Sequence, residues 1–155
     1  MQQTDDLVLA SVGNRFLANL IDNIIIGFLS ITGALALGIP VLSLNMQDME
    51  ASTQLFTDTY TRFLMVALPI SFLYRSLQEG LPAQATIGKR VMKLKVVKVS
   101  GKPLQLKDGL VRNLVKELSG YLYMVYLVGL FSPLHQCLHD LAARTYVVDA
   151  IPYKE

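Results

Sequence analysis

Residues 15–22 read Arg15-Phe16-Leu17-Ala18-Asn19-Leu20-Ile21-Asp22 and open an apolar run that continues to Leu44 without another charge. Arg15, Asn19 and Asp22 are spaced by four and then three residues, so a helix places their side chains on one face. A carboxylate at the edge of a segment long enough to cross a bilayer is costly, and such groups usually serve a function. The stretch predicts a membrane helix with a polar face near its beginning.

The composition of the whole chain agrees with a membrane protein. Of its 155 residues, 52% are hydrophobic and 17% are charged, whereas a soluble domain carries roughly 25% charged residues. The net charge of +2 gives no general reason to expect nucleic-acid binding. A single cysteine, Cys137, excludes an internal disulfide. The apolar excess therefore predicts membrane spans rather than an unusually large soluble core.

Three apolar stretches predict three membrane helices, over residues 16–38, 60–77 and 118–134. The first stretch is far longer than the core of a signal peptide and follows no basic segment, so a retained anchor is expected. The second is short and extends to a span only with its flanking tyrosine and arginines. The predicted fold class is an all-α membrane protein with a single domain over residues 1–155.

The basic residues are concentrated between the second and third stretches. The segment 78–117 holds nine of the fourteen lysines and arginines, whereas the polar loop predicted over 45–61 holds only acidic charges. These nine are Lys89, Arg90, Lys93, Lys95, Lys98, Lys102, Lys107, Arg112 and Lys116. By the positive-inside rule the segment 78–117 is cytoplasmic, and so is the amino terminus of a multi-pass chain.

Two surface elements are predicted within the basic segment. Residues 91–99 alternate valine and lysine before a Ser100-Gly101 turn, which favours a short β-hairpin against the membrane. Its basic side chains facing anionic lipid are Lys93, Lys95 and Lys98. Leucines then recur every four residues and predict an interfacial amphipathic helix. They are Leu106, Leu110, Leu114 and Leu118.

Potential metal ligands gather after the third apolar stretch, at His135, Cys137, His139 and Asp140. A zinc protease would also need a glutamate after the first histidine to act as general base, and Gln136 cannot do so. A hydrolase using His135, His139 and Asp140 is the weakest interpretation. We expect no metal, no cofactor and no enzymatic activity.

Asp22 leaves two interpretations open. In one, it is a buried carboxylate that exchanges protons or binds a cation. In the other, it belongs to an ion pair or hydrogen-bond network that positions helices. Residue type alone does not separate the two interpretations.

Three blocks together resemble the RDD family of small bacterial membrane proteins. Residues 15–22 resemble its amino-terminal "R-x-x-A-x-x-x-D" element, and Thr86-Ile87-Gly88-Lys89 resembles its "T-x-G-K" turn. Residues 138–148 resemble its closing "L-[HG]-D-x-x-A-x-T-V-V" element, and Arg112-Asn113 matches an "R-N" step. His135, Gln136 and Cys137 occupy the places just before the last aspartate where family members often carry arginines, and Arg144 replaces a small residue.

The resemblance implies a naming triad of Arg15, Asp22 and Asp140. It also implies an RDD-type domain in the bacterial inner membrane and suspected transport, in some members sodium–proton antiport. Residues at matching positions are expected to support the triad. They are Asn19, Thr86, Gly88, Lys89, Arg112, His139 and Thr145.

The preferred hypothesis is a homo-oligomer, a dimer or larger, that moves a small cation or proton. Asp22 would bind it, Arg15 would adjust the proton affinity of Asp22, and Asp140 would gate or pair. The alternative is a non-transporting scaffold or accessory subunit that binds anionic lipid or a partner protein. If residues 118–134 cross completely, Arg15 and Asp140 lie roughly 30 Å apart. If they form a re-entrant turn, the two can meet; length alone favours the crossing.

Overall fold

The computed structural model describes residues 8–41, 49–100, 104–120 and 137–150. These residues are mostly helical, as predicted, and include a two-stranded antiparallel sheet. They divide into two compact units, one from the described parts of Met1–Asp22 and Phe72–Glu155, the other within Asn23–Ser71. The helices are α1 (Val12–Ala36), α2 (Met49–Gly80), α3 (Ile87–Val91), α4 (Leu106–Gly120) and α5 (Leu138–Ala143). The strands are β1 (Leu94–Lys98) and β2 (Thr145–Asp149).

Helix α1 confirms a long apolar helix where the first span is predicted. Among the described helices it alone is long and apolar enough to cross a membrane. Its buried side chains recur every four residues and are mostly small: Ala18, Asp22, Ile26, Ser30 and Ala34. Its large apolar side chains point outward, with Phe16 66% and Phe28 73% exposed. A helix on the surface of a soluble protein buries its large apolar side chains and exposes polar ones. The reverse distribution on α1 therefore suits apolar surroundings.

Helix α2 contains the second predicted stretch but begins earlier than expected. The predicted polar loop over 45–61 is wrong from Met49 onward, because those residues are helical. Side-chain hydrogen bonds and an ion pair between residues one turn apart support the helix in this polar region. The Thr61 hydroxyl donates to the Thr57 carbonyl at 2.8 Å, and Arg62 pairs with Asp58 at 2.8 Å, one turn apart. A crossing by α2 remains a prediction from the sequence.

Within the unit Asn23–Ser71, α1 and α2 approach closely at Gly33. A Cβ atom at this position would lie 3.3 Å from Ile70 Cδ1 and 3.4 Å from Val66 Cγ1. The absence of a side chain therefore allows the two backbones to come together, as small residues commonly do between membrane helices.

The sheet corrects the predicted local hairpin. Strand β1 lies where the valine–lysine alternation predicts it, but its partner is β2 rather than a neighbouring segment. Leu94 lies opposite Asp149, and Lys98 lies opposite Thr145. The physical reason is burial, because β2 places Val147 in the same apolar cluster as Leu94, whereas a local hairpin offers no second apolar strand.

Residues 8–10 extend this sheet on the other side of β2. Leu9 forms an isolated bridge to Val148, and the Ala10 amide donates to the Val147 carbonyl at 3.0 Å. The sequence gives no sign of this contact, which ties the start of α1 to the carboxyl-terminal part of the chain. The core here comprises Ala10, Ala18, Leu94, Val96, Leu104 and Val147.

Helix α4 is amphipathic, as predicted, with its leucine face turned outward. Leu106, Leu110, Leu114 and Leu118 are all exposed, the last by 70%. Its opposite face buries Arg112 and Asn113. Because the polar face is the buried one, α4 suits an apolar environment on its outer side.

The third predicted span falls largely outside the described residues. Helix α4 includes its first residues and ends at Gly120, and the description resumes at Cys137 before α5. Helices α4 and α5 pack against each other.

Leu94→Ala tests the core formed by the sheet. The Leu94 side chain is 1% exposed, so its truncation leaves a cavity and should lower the free energy of unfolding by about 2–5 kcal/mol. The matched change Leu118→Ala, at a residue 70% exposed, should have a much smaller effect. Unfolding in detergent measures both, and equal losses would contradict the assigned core.

Candidate functional site: two buried polar clusters

Asp22 is the acceptor of a hydrogen-bond cluster that joins three elements. Its Oδ2 accepts from the Thr86 hydroxyl at 2.6 Å. Its Oδ1 accepts from the Gly88 amide at 2.8 Å and from the Tyr74 hydroxyl at 3.0 Å. Thr86 is also the N-cap of α3, accepting from the Lys89 amide at 3.4 Å. The carboxylate thus fastens α2 and the turn before α3 to α1.

Gly88 is required by the close approach of α3 to α1. A Cβ atom there would collide with the Ala18 carbonyl oxygen and lie 2.9 Å from the Asp22 carboxylate. The glycine therefore lets its own amide reach Asp22, which a larger residue would prevent.

Asp140 is the centre of a second cluster. Its Oδ1 lies 2.5 Å from Arg112 Nη2, and its Oδ2 lies 3.5 Å from Arg15 Nη1. The Cys137 amide also donates to Oδ2, at 3.1 Å, at the start of α5. Arg15 reaches onward to the sheet and donates to the Val147 carbonyl at 2.9 Å. One buried carboxylate therefore connects α1, α4 and α5.

Glu79 extends this cluster from the end of α2. Its Oε1 pairs with the Lys89 ammonium group, and its Oε2 lies 3.5 Å from Arg112 Nη1. The Asn113 amide donates to the same Oε2 at 3.1 Å. Arg112 therefore bridges the two carboxylates, and the ion-pair network runs from Arg15 to Lys89.

Two further pairs lie around the network. Lys116 Nζ donates to Asn19 Oδ1 at 2.9 Å, so this ammonium group meets a neutral amide. Arg75 Nη1 pairs with Glu117 Oε1 at 3.0 Å. The polar face of α4 thereby reaches both α1 and α2.

Comparison with known proteins identifies a family. Residues 9–144 match the RDD family, a range that includes Asp22, Glu79 and Asp140. The chain belongs to the RDD family. It is 28% identical over 140 residues to the uncharacterized protein YxaI of Bacillus subtilis (strain 168). The matched region covers 86% of this chain and 93% of that protein. No solved structure matches the chain.

The RDD triad does not form one ion cluster. Arg15 and Asp140 pair, but Asp22 accepts its hydrogen bonds from uncharged groups. Among the described residues no lysine or arginine forms a salt bridge with Asp22. The expected influence of Arg15 on Asp22 is therefore not seen as a direct contact; the nearest carboxylate partner of Arg15 is Asp140.

The pairing of Arg15 with Asp140 also bears on the path of the chain. A complete crossing by residues 118–134 would place these groups on opposite sides of the membrane, roughly 30 Å apart. Arg15 Nη1 and Asp140 Oδ2 lie 3.5 Å apart, so the two groups meet, while most of the connecting stretch lies outside the described residues. The length of residues 118–134 favoured a complete crossing in the sequence analysis. Length carries no information about ion pairing, so it could not show that Arg15 and Asp140 meet.

Every predicted supporting residue lies in one of the two clusters. Thr86 and Gly88 bind Asp22, Lys89 binds Glu79, and Asn19 binds Lys116. Around Asp140, His139 Nε2 lies 3.7 Å from its Oδ1, and the Thr145 hydroxyl donates to its carbonyl oxygen at 3.4 Å. Arg144, which replaces a small residue, has a φ of 49°, in the left-handed region that favours glycine.

The three predicted lipid-facing lysines separate into two kinds. Lys98 pairs with Asp108 at 2.6 Å. Lys93 is exposed and Lys95 is half-buried, and neither forms a salt bridge within the described residues. The predicted hairpin placed all three lysines on one lipid-facing surface. In the structure Lys98 instead contacts α4 through Asp108.

Sequence reasoning missed the roles of Glu79, Asn113, Lys116 and Tyr74. Glu79 offered one signal, since it is an acidic residue directly after a predicted span in a strongly basic segment. Lys116 offered none, because it appears as one lysine among nine in that segment. Its partner Asn19 is 97 positions away in the sequence.

Burial and the neighbouring charges shift the pKa values of the ionisable groups in and beside the network. Burial raises the pKa of Asp140, but the Arg112 charge, the Cys137 amide and the other groups around this carboxylate together outweigh burial and hold its pKa below its ordinary value. Burial likewise opposes ionisation of Glu79, yet Arg112 and Lys89 keep its pKa well below the usual range. Burial lowers the pKa of His139 to about 3, so this imidazole is neutral at physiological pH.

Cys137, His139 and Asp140 place three potential metal ligand atoms within 4.8 Å of one another. Both oxygens of Asp140 already bind guanidinium groups, from Arg112 and Arg15. A metal cation would have to enter beside these two positive charges, so the donor set fits a cation poorly. The remaining predicted ligand, His135, lies outside the described residues.

Gly88→Ala tests the fastening of α3 to α1. The added methyl group must displace either the Ala18 carbonyl or the Asp22 carboxylate, and we expect a loss of about 1–3 kcal/mol in unfolding free energy. Gly13→Ala is the control, because a Cβ at Gly13 meets nothing within 4 Å. Thermal unfolding in detergent compares them, and an unaltered melting temperature for Gly88→Ala would contradict the cluster.

Acidification should destabilise the fold through His139. Its folded pKa of about 3 lies below the unfolded value of 6.5, so between these values only the unfolded chain binds the proton. Stability should therefore fall as pH decreases, by on the order of 2 kcal/mol from pH 6.5 to 5. His139→Gln should flatten this dependence when unfolding is measured across that range. An unchanged slope in the variant would assign the effect to other groups.

Proposed function

We propose that this RDD protein is a multi-pass protein of the bacterial inner membrane, amino terminus cytoplasmic, that moves a proton or small cation. The observation that carries the proposal is the buried ion-pair network around Asp140 and Glu79. Buried ionisable side chains are costly in a membrane protein and commonly form ion pathways or proton relays, and several members of this network directly precede or follow the predicted spans. The proposal assigns the chain no enzymatic activity.

The two clusters suit different roles in this proposal. Asp22 has three donors, 2.6, 2.8 and 3.0 Å away, which hold α3 and Tyr74 against α1. We therefore assign Asp22 to holding the fold. Asp140 and Arg15 hold α5 and the sheet against α1 in the same way.

The exchanging group that fits best is Lys116, with Glu79 as its counter-charge. Lys116 donates to the neutral Asn19 amide and is near the cations Arg75 and Lys89. Burial, followed by these charges, lowers the pKa of Lys116 well below its ordinary value, so the ammonium group releases a proton readily. Glu79 supplies the counter-charge.

An oligomer belongs to the proposal, because three spans are too few to enclose a pathway alone. The placement of the start of α1 and the basic segment supports the orientation. Both lie in the unit formed by the described parts of Met1–Asp22 and Phe72–Glu155, which agrees with a shared cytoplasmic side.

The alternative is a membrane scaffold or accessory subunit that transports nothing. The outward leucine face of α4 favours it, because such a face can bind lipid or a helix of a partner protein. The alternative predicts that the reconstituted protein produces no flux above that of protein-free liposomes.

Lys116→Arg tests the transport proposal. Arginine keeps the positive charge but does not release its proton, so we expect pH-driven cation flux in liposomes to fall tenfold or more. Lys107→Arg makes the same change at an exposed position of α4 and should leave flux unchanged. Undiminished flux in Lys116→Arg would remove Lys116 from the pathway. Loss of flux in Asp22→Asn, with its melting temperature retained, would return the exchanging role to Asp22.

A further inference from the structure

An open groove lies beside β1, away from both clusters. Its volume is about 450 Å³, and three cationic side chains line it: Arg90, Lys93 and Lys95. Much of the remaining wall is formed by the small side chains of Ala83, Ala85 and Ala150. Among the described residues, no acidic side chain lines the groove. It is a concave, positively charged site with room for a ligand.

The cations of this groove differ from those of the basic segment that pair with carboxylates. Lys89 is neutralised by Glu79, Lys98 by Asp108 and Arg112 by Asp140. In the described part of the chain, the groove's three cations form no salt bridge with a carboxylate. Their positive charge is therefore available to an anion from outside the chain.

The backbone around the groove is held firmly. Gln84 and Lys93 both have φ values in the left-handed region, 50° and 55°. The Gln84 carbonyl accepts from the Val96 amide at 2.9 Å, and the Lys93 carbonyl accepts from the Ala150 amide at 2.6 Å. Arg90 Nε donates to the Ala85 carbonyl at 3.2 Å, which directs the guanidinium group along the groove wall. Such backbone conformations persist where surrounding bonds enforce them.

We propose that this groove binds the phosphate group of an anionic ligand, with Arg90, Lys93 and Lys95 as its charged contacts. Guanidinium and ammonium groups are the usual protein partners of phosphate. An anionic phospholipid headgroup is one source of this chemistry, and free phosphate is the other. The proposal does not depend on transport, since it uses none of the residues of the ion-pair network.

The test measures binding to the full chain purified in a non-ionic detergent. Short-chain phosphatidylglycerol is titrated calorimetrically, with short-chain phosphatidylcholine, whose zwitterionic headgroup has no net charge, as the control and inorganic phosphate as competitor. We expect phosphatidylglycerol to bind and phosphatidylcholine to bind at least tenfold more weakly. Competition by inorganic phosphate would show that the groove also accepts the free anion. Binding of phosphatidylglycerol without competition would assign the site to lipid.

Two double variants locate the site. Lys93→Gln with Lys95→Gln should weaken phosphatidylglycerol binding about tenfold or more. Lys98→Gln with Lys107→Gln removes the same charge outside the groove and should change the affinity less than twofold. Melting temperatures of both variants confirm that each is folded. Equal weakening by the two doubles, or binding of neither phosphatidylglycerol nor phosphate, would overturn the proposal.

Discussion

The contact between Arg112 and Asp140 is the constraint on which the described fold depends. Their side chains are only 4% and 1% exposed, so neither charge can be satisfied by solvent. Removal of one partner from such a pair leaves an uncompensated buried charge, which commonly costs about 3–5 kcal/mol. Because Arg112 also reaches Glu79, and Asp140 also reaches Arg15, the pair fixes α4 against α1, α2 and α5 together. The network supplies specificity of packing where apolar contacts are few.

The inward placement of these charges determines what the helices show outside. Helix α4 buries Arg112 and Asn113 and exposes its leucines, and α1 buries alanine and serine while exposing phenylalanine. In water this order would leave large apolar surfaces unpaired. In a bilayer it becomes favourable, because lipid covers the leucines and phenylalanines while the protein satisfies its own polar groups. The ion pairs and the apolar exterior are thus two consequences of one environment.

The sequence predicted elements better than it predicted their partners. Periodicity located α1, α4 and β1, because each depends on side-chain pattern within a short window. Pairing of β1 with β2 involves residues about fifty positions apart, and no pattern within β1 names its partner. The blocks of the family resemblance identified the supporting residues of both clusters. They could not show that Arg15 joins Asp140 and leaves Asp22 to Thr86 and Gly88, because spacing along a helix does not specify which neighbour a side chain reaches.

The basic segment contains two populations of positive charge that its sequence does not distinguish. Lys89 and Arg90 are adjacent, yet Lys89 is buried against Glu79 whereas Arg90 lines the groove. The charges of the first population neutralise buried carboxylates, so they contribute little to the field outside the protein. Only the second population, which includes Lys93 and Lys95, retains charge that an anionic ligand can meet. The positive-inside rule counts both populations equally, because orientation responds to the number of lysines and arginines near the spans. Recognition of an anion depends instead on which of them the fold leaves unpaired.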